Sequence, residues 1–146
     1  YPATSRALKL GNRLMLHLPT LNIPYAANGV STRGEIIRND PDLVRRYLSA
    51  VIEASALMKK DRAFSFNVFR KYLRTDDADL LSETYDVQII KYLLKVPLPK
   101  IDAIRPVVEE LAERNPKAKD QDPSRFFDDR FVRQLEANGF IDSVYR

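Results

Sequence analysis

The sequence predicts a predominantly α-helical chain with two short strands near its amino end, and three observations point there. From Asp40 onward, apolar residues recur at three- and four-residue spacing almost without interruption, the period of amphipathic helices. Two earlier stretches, Arg13 to His17 and Asn28 to Arg33, break that period and read as short strands. The 9 Pro sit mainly at boundaries and Gly occurs only 4 times, so the chain parses by its own punctuation.

Each element follows from local chemistry. Pro2 to Leu10 reads as a short helix with Pro near its start and Gly11 as a left-handed stop. Leu18 to Tyr25 holds Pro19 and Pro24; each lacks an N–H and restricts its predecessor, so this segment reads as an irregular crossing. Thr32 and Glu35 have capping-box spacing for a helix through Arg38. Asp40-Pro41 is an N-cap followed by Pro at the first helical position, and Leu43, Val44, Tyr47, Leu48, Val51, Ile52 and Met58 give a helix of about 18 residues with one apolar face. Asp61 caps the next helix, with Phe64, Phe69 and Tyr72 facing inward, and Asp76 or Asp77 caps a third running through Leu94. Ile104, Val107, Val108, Leu111 and Ala112 mark a fourth helix, in which Pro106 fits best within the first turn. The last helix starts near Asp128, carries Phe131 and Leu135, and stops at Asn138-Gly139, where Phe140 can fold back on Leu135.

The 146 residues amount to one domain's worth of chain. At this length folding hides roughly 70% of the unfolded surface, enough for a core without cross-links. With no Cys, disulfides and Cys-rich zinc sites are excluded, and with His17 as the single histidine, His-based metal cages and Ser-His-Asp catalysis lose their basis. No apolar run approaches the ~20 residues of a membrane span. The net charge of +4 comes from interleaved signs, the pattern of a mixed solvated surface. The start at Tyr1-Pro2, without Met or a signal segment, reads as the result of processing or truncation. Two short strands cannot make a stable sheet unaided, so the chain reads as the second half of a larger α/β protein.

Two stretches carry a family resemblance: Asn28 to Arg46 (NGVSTRGEIIRNDPDLVRR) and Asp122 to Tyr145 (DPSRFFDDRFVRQLEANGFIDSVY). They resemble the carboxyl-terminal half of ABC-transporter substrate-binding proteins of the nitrate/sulfonate/taurine type, whose periplasmic-binding-protein fold is shared by pyrimidine-precursor binding proteins and pyrimidine synthases. Both stretches are scaffold signatures. The resemblance implies the carboxyl-terminal portion of a two-lobed α/β fold, with residues 1–21 as the last helix and strand of the second lobe, 22–27 as a hinge crossing, and 28–146 completing the first lobe. It implies an extracytoplasmic, non-enzymatic protein that needs no cofactor or metal. Its partners would be a small anionic or heteroaromatic solute and a membrane permease, with no nucleic acid.

Ligands of two-lobed α/β proteins lie between the lobes, where helix N-termini present free N–H groups. Here that points to Tyr1, Thr4 and Ser5, although plain helix capping explains the same residues. Tyr25 and Asn28 flank the crossing and are the next ligand-binding candidates, against simple hinge packing. No catalytic residue is expected. His17 matches no family site and reads as structural or exposed. Phe64, Phe66, Phe69, Tyr72 and Tyr85 beside Lys59, Lys60, Arg62, Arg70, Lys71 and Arg74 have the ingredients of a base-stacking platform, but helical spacing places the rings in a core. The alternatives are a pyrimidine-precursor synthase of the same fold and a basic helical module binding nucleic acid or protein. The chain alone is expected to bind no solute tightly and to self-associate through open strand edges or to leave its first ~25 residues mobile.

Overall fold

A computed structural model describes residues 2–21, 23–26 and 28–146, and every regular element among them is helical. The order is α1 (Pro2–Lys9), α2 (Gly34–Asn39), α3 (Pro41–Lys60), α4 (Arg62–Leu73), α5 (Ala78–Thr84), α6 (Ile101–Arg114), α7 (Arg130–Ala137) and α8 (Phe140–Tyr145). Short 3-10 turns span Leu18–Leu21, Pro116–Ala118 and Pro123–Phe126.

The boundaries follow the capping chemistry. The carboxylate of Asp40 accepts from the Leu43 N–H at 2.9 Å and Pro41 supplies the first helical residue, which together start α3, the longest helix at 20 residues. Asp61 both ends α3 and starts α4, accepting from the Phe64 N–H at 2.8 Å. Asp77 does the same for α5 through Leu80. Gly139 adopts a φ of 78°, a left-handed turn that lets the chain reverse from α7 into α8. The Thr32 capping box does not form: Arg33 is the N-cap of α2 and no side chain caps it.

The expected strands are absent. Arg13–His17 is irregular, as is Asn28–Arg33, and no strand occurs among the described residues. The two-lobed α/β expectation is therefore corrected to an all-helical arrangement. A strand exists only by pairing its N–H and C=O groups with a neighbour, and a lone pair of strands is marginal in water. No backbone hydrogen bond joins 13–17 to 28–33. Alternation alone therefore produced no sheet. Ile23–Ala26 is non-helical, as Pro24 requires, while Asn22 and Ala27, the expected limits of the crossing, lie outside the described residues.

Packing centres on α3, which meets α2, α4, α7, α8 and the helical segment Tyr85–Tyr92 that continues α5. Ile52, Val132, Leu135 and Ile141 form a buried cluster, against which Leu48, Val96, Leu98, Phe140, Val144 and Tyr145 pack. Phe140 thus returns to the core, and α8, unforeseen in the sequence, closes it. Tyr47, expected inside, is exposed.

The third expected helix changes character midway, continuing from α5 as a π-helix over Tyr85–Tyr92. Its i→i+5 bonding widens each turn, and within it Tyr85 and Ile89 are buried while Ile90 faces solvent; Leu94, also exposed, lies beyond the end of the helix. The expected apolar face is rotated by that widening. In α4 the buried residue is Ser65, whose hydroxyl donates to the Met58 carbonyl at 2.8 Å. Tyr72 is 74% exposed and Phe64 is exposed too, so the inward ring face assigned to α4 is corrected as well. Pro106 lies in the second turn of α6, where it has no N–H to offer the Asp102 carbonyl.

Candidate functional site

The expected ligand-binding residues fall at two places. Tyr1 lies outside the described residues. Thr4 and Ser5 sit in α1, whose attachment to α5 is polar. The buried Ser5 hydroxyl donates to the Glu83 carboxylate, and the Lys9 ammonium lies 2.8 Å from Asp77 and 3.5 Å from Asp79. The hydrogen bond from Lys9, joined by the Leu80 N–H, holds the Asp77 carboxyl below the usual carboxylate range, and the same bond raises Lys9. Asp77 therefore serves twice, as the cap of α5 and as the anchor of α1.

Tyr25 belongs to a second junction. Its hydroxyl donates to Glu110 of α6 at 2.9 Å, and the Ala26 N–H donates to the Ala103 carbonyl at 2.9 Å. The hydrogen bond to Glu110, and then the charge of that carboxylate, push the Tyr25 hydroxyl pKa up. Asn28 is exposed. No hydrogen bond joins Thr4 or Ser5 to Tyr25 or Asn28 among the described residues. Sequence spacing had no means of finding Glu83 or Glu110, because each pairs with a residue about 80 positions away and neither shows any periodicity toward its partner.

The aromatic and basic residues of α4 resolve into one packed group. The Arg62 guanidinium sits 5.1 Å from the Phe66 ring and 5.2 Å from the Tyr85 ring, with the two rings edge-on at 5.9 Å. Arg62 also donates to the Ser82 hydroxyl at 2.6 Å. That exposed cation spans the two rings at the surface, so these faces are already occupied.

Carboxylates elsewhere are similarly committed. Asp128 is lowered chiefly by its hydrogen bond from Arg130, Asp142 by that from Lys95, and Asp122 by the Ser124 backbone N–H. Each shift favours the ionised form, which suits capping and ion pairing and runs opposite to the raised pKa of a general acid. The His17 Nε2, the Thr84 hydroxyl and the Tyr145 hydroxyl are buried without a partner. Among the described residues no three His, Asp or Glu side chains gather as a metal site, and no helix is long and apolar enough to cross a membrane.

Two of the open clefts among the described residues are the best formed. One, of about 360 Å³, lies between the end of α6 and the turns that follow it, and another, of about 380 Å³, lies between α3 and the α7–α8 corner. Neither contains Thr4, Ser5, Tyr25 or Asn28. Comparison with protein-family models, with curated proteins and with solved structures finds no match to this chain.

Proposed function

We propose that the chain is part of the solute-recognition subunit of an ABC importer of the nitrate/sulfonate/taurine type, working outside the cytoplasm and delivering a small anionic or heteroaromatic solute to a membrane permease. The observation that carries this reading joins sequence to packing. The two stretches that bear the resemblance lie far apart in the chain, yet the helices they form meet: Asn28 to Arg46 leads into α3, and Asp122 to Tyr145 supplies α7 and α8. Val132, Leu135 and Ile141 of the second stretch close on Ile52, which follows the first stretch on the same helix, so one signature stretch builds this cluster and the other leads into the helix it packs on.

A second observation supports a role shared with another surface. Leu10, Leu14, Met15, Leu16, Leu21, Ile23 and Val30 are all exposed over one stretch of chain. That is an apolar run of the kind other protein surfaces cover. In this reading the covering surface also completes the solute site. Ser5 and Tyr25 are held by Glu83 and Glu110, and an anionic solute would be repelled by those carboxylates where they now stand. Solute binding therefore requires α1 to leave Glu83, a change that the solute drives only through its greater affinity for the rearranged state.

Calorimetric titration with nitrate, an alkanesulfonate and a pyrimidine precursor tests the proposal. This chain by itself should bind none of them more tightly than about 1 mM, since tight sites bury 70 to 90% of a small ligand. The full product of the coding region should bind one of them at micromolar concentration. Failure of the full product to bind any of the three overturns the transport reading.

A further inference from the structure

After α6, the chain turns at Asn115 and folds back along the helix through the two 3-10 turns, burying Val108 and Ala118. The closure is incomplete. Leu111 and Phe126, on the two sides of the resulting cleft, stay 43% and 49% exposed. The cleft therefore has an apolar floor open to water, and its volume of about 360 Å³ lies at the small end of the range for ligand sites.

Its rim is cationic. Lys117 and Arg125 line the cleft, and neither forms an ion pair among the described residues, unlike Lys9, Lys95 or Arg130. Arg125 is steadied by donating to the Gln121 side-chain oxygen at 3.0 Å. Asn115 turns its side-chain oxygen to the Lys117 N–H at 3.1 Å, and its amide NH₂ donates to nothing else among the described residues. Asp122, which feels the charges of Arg125 and Arg105, accepts from the Ser124 N–H at 2.9 Å within its own turn.

We infer that this cleft binds a small aromatic carboxylate, its ring against Leu111 and Phe126 and its carboxylate between Lys117 and Arg125. The floor favours a ring over an inorganic anion, and two cations outside any ion pair among the described residues favour a charged ring over a neutral one. With Asp120 and Asp122 interleaved among the basic residues, the rim does not suit a polyanion such as nucleic acid. The site lies apart from Thr4, Ser5 and Asn28 and does not rest on the transport reading.

Amide spectra of the isotopically labelled chain, titrated with naphthoate to about 10 mM, provide the test, because a small ligand in an open cleft binds at about millimolar concentration. Shifts should be confined to residues 111–126. Replacing both cations, Lys117→Ala with Arg125→Ala, should weaken binding about fivefold, and the neutral analogue naphthyl methanol should bind about fivefold more weakly than naphthoate. Both side chains are exposed at the surface, so the fold survives their loss, and unchanged spectra outside the cleft verify it. Absence of shifts, shifts centred elsewhere, equal binding by the double variant, or equal binding by the neutral analogue would each overturn the assignment.

Discussion

Residues 10–33 and the helices around α3 contain similar apolar side chains and meet opposite fates. Ile52 on α3 is 1% exposed, while Met15 in the irregular stretch is 98% exposed. The difference lies in where each backbone finds its hydrogen bonds. A helix satisfies its N–H and C=O groups internally and is then free to present an apolar stripe to any neighbour. A strand needs a second strand before its side chains have a face at all, so Arg13 to Leu16 remain in solvent without one. Apolar content sets the demand for burial, and backbone pairing decides whether the demand can be met.

Paired truncations should separate the two regions most strongly. Ile52→Ala should cost about 2 to 5 kcal/mol of folding stability, the range for a buried aliphatic side chain cut to methyl. Met15→Ala should change stability by less than about 0.5 kcal/mol. Urea unfolding of the two variants checks the comparison. Comparable costs would place Met15 in a packed environment and erase the distinction.

A smaller effect is expected at the helix caps. Asp61→Ala leaves the Phe64 N–H without its acceptor and should cost about 1 kcal/mol, measured in the same unfolding assay. Asn28→Ala, in the irregular stretch, should be nearly neutral.

The least expensive perturbation is acid. Asp77, Asp128 and Asp142 all have carboxyls held below their ordinary range, so each contributes stability that is present above the unfolded-state value. That contribution is lost as the pH falls through the folded-state value. Thermal unfolding should therefore vary little between about pH 7 and 5 and decline below about pH 4, where carboxylates begin to protonate. Asp77→Asn should flatten part of that decline and loosen α1. A midpoint that rose on acidification would show that these pairs oppose folding.

The helical half of the fold was legible because its signals are local. Asp40, Asp61 and Asp77 announce their helices within three residues, and Gly139 announces the stop between α7 and α8. What stayed hidden depended on distant or collective effects. Nothing near Tyr85 marks the change to π geometry, which leaves Ile90 facing outward and ends the helix at Tyr92, short of Leu94. The period of α4 placed Tyr72 inside, although the residue that α4 buries is Ser65, whose hydroxyl finds the Met58 carbonyl. The candidate site was legible only as residue types and places, Ser5 at a helix start and Tyr25 beside the crossing; their acceptors, Glu83 and Glu110, became identifiable only in three dimensions.

Hydrogen exchange resolved along the chain tests most directly the claim that one helical core stands beside an unpaired amino-terminal stretch. Amides of α3, α7 and α8 should exchange only with global unfolding, and those of residues 13–17 and 28–33 should exchange at close to the rate of an unfolded peptide. Protection of Arg13–His17 comparable to that of α3 would mean that its backbone is paired after all, and the separation drawn here between the two regions would be wrong.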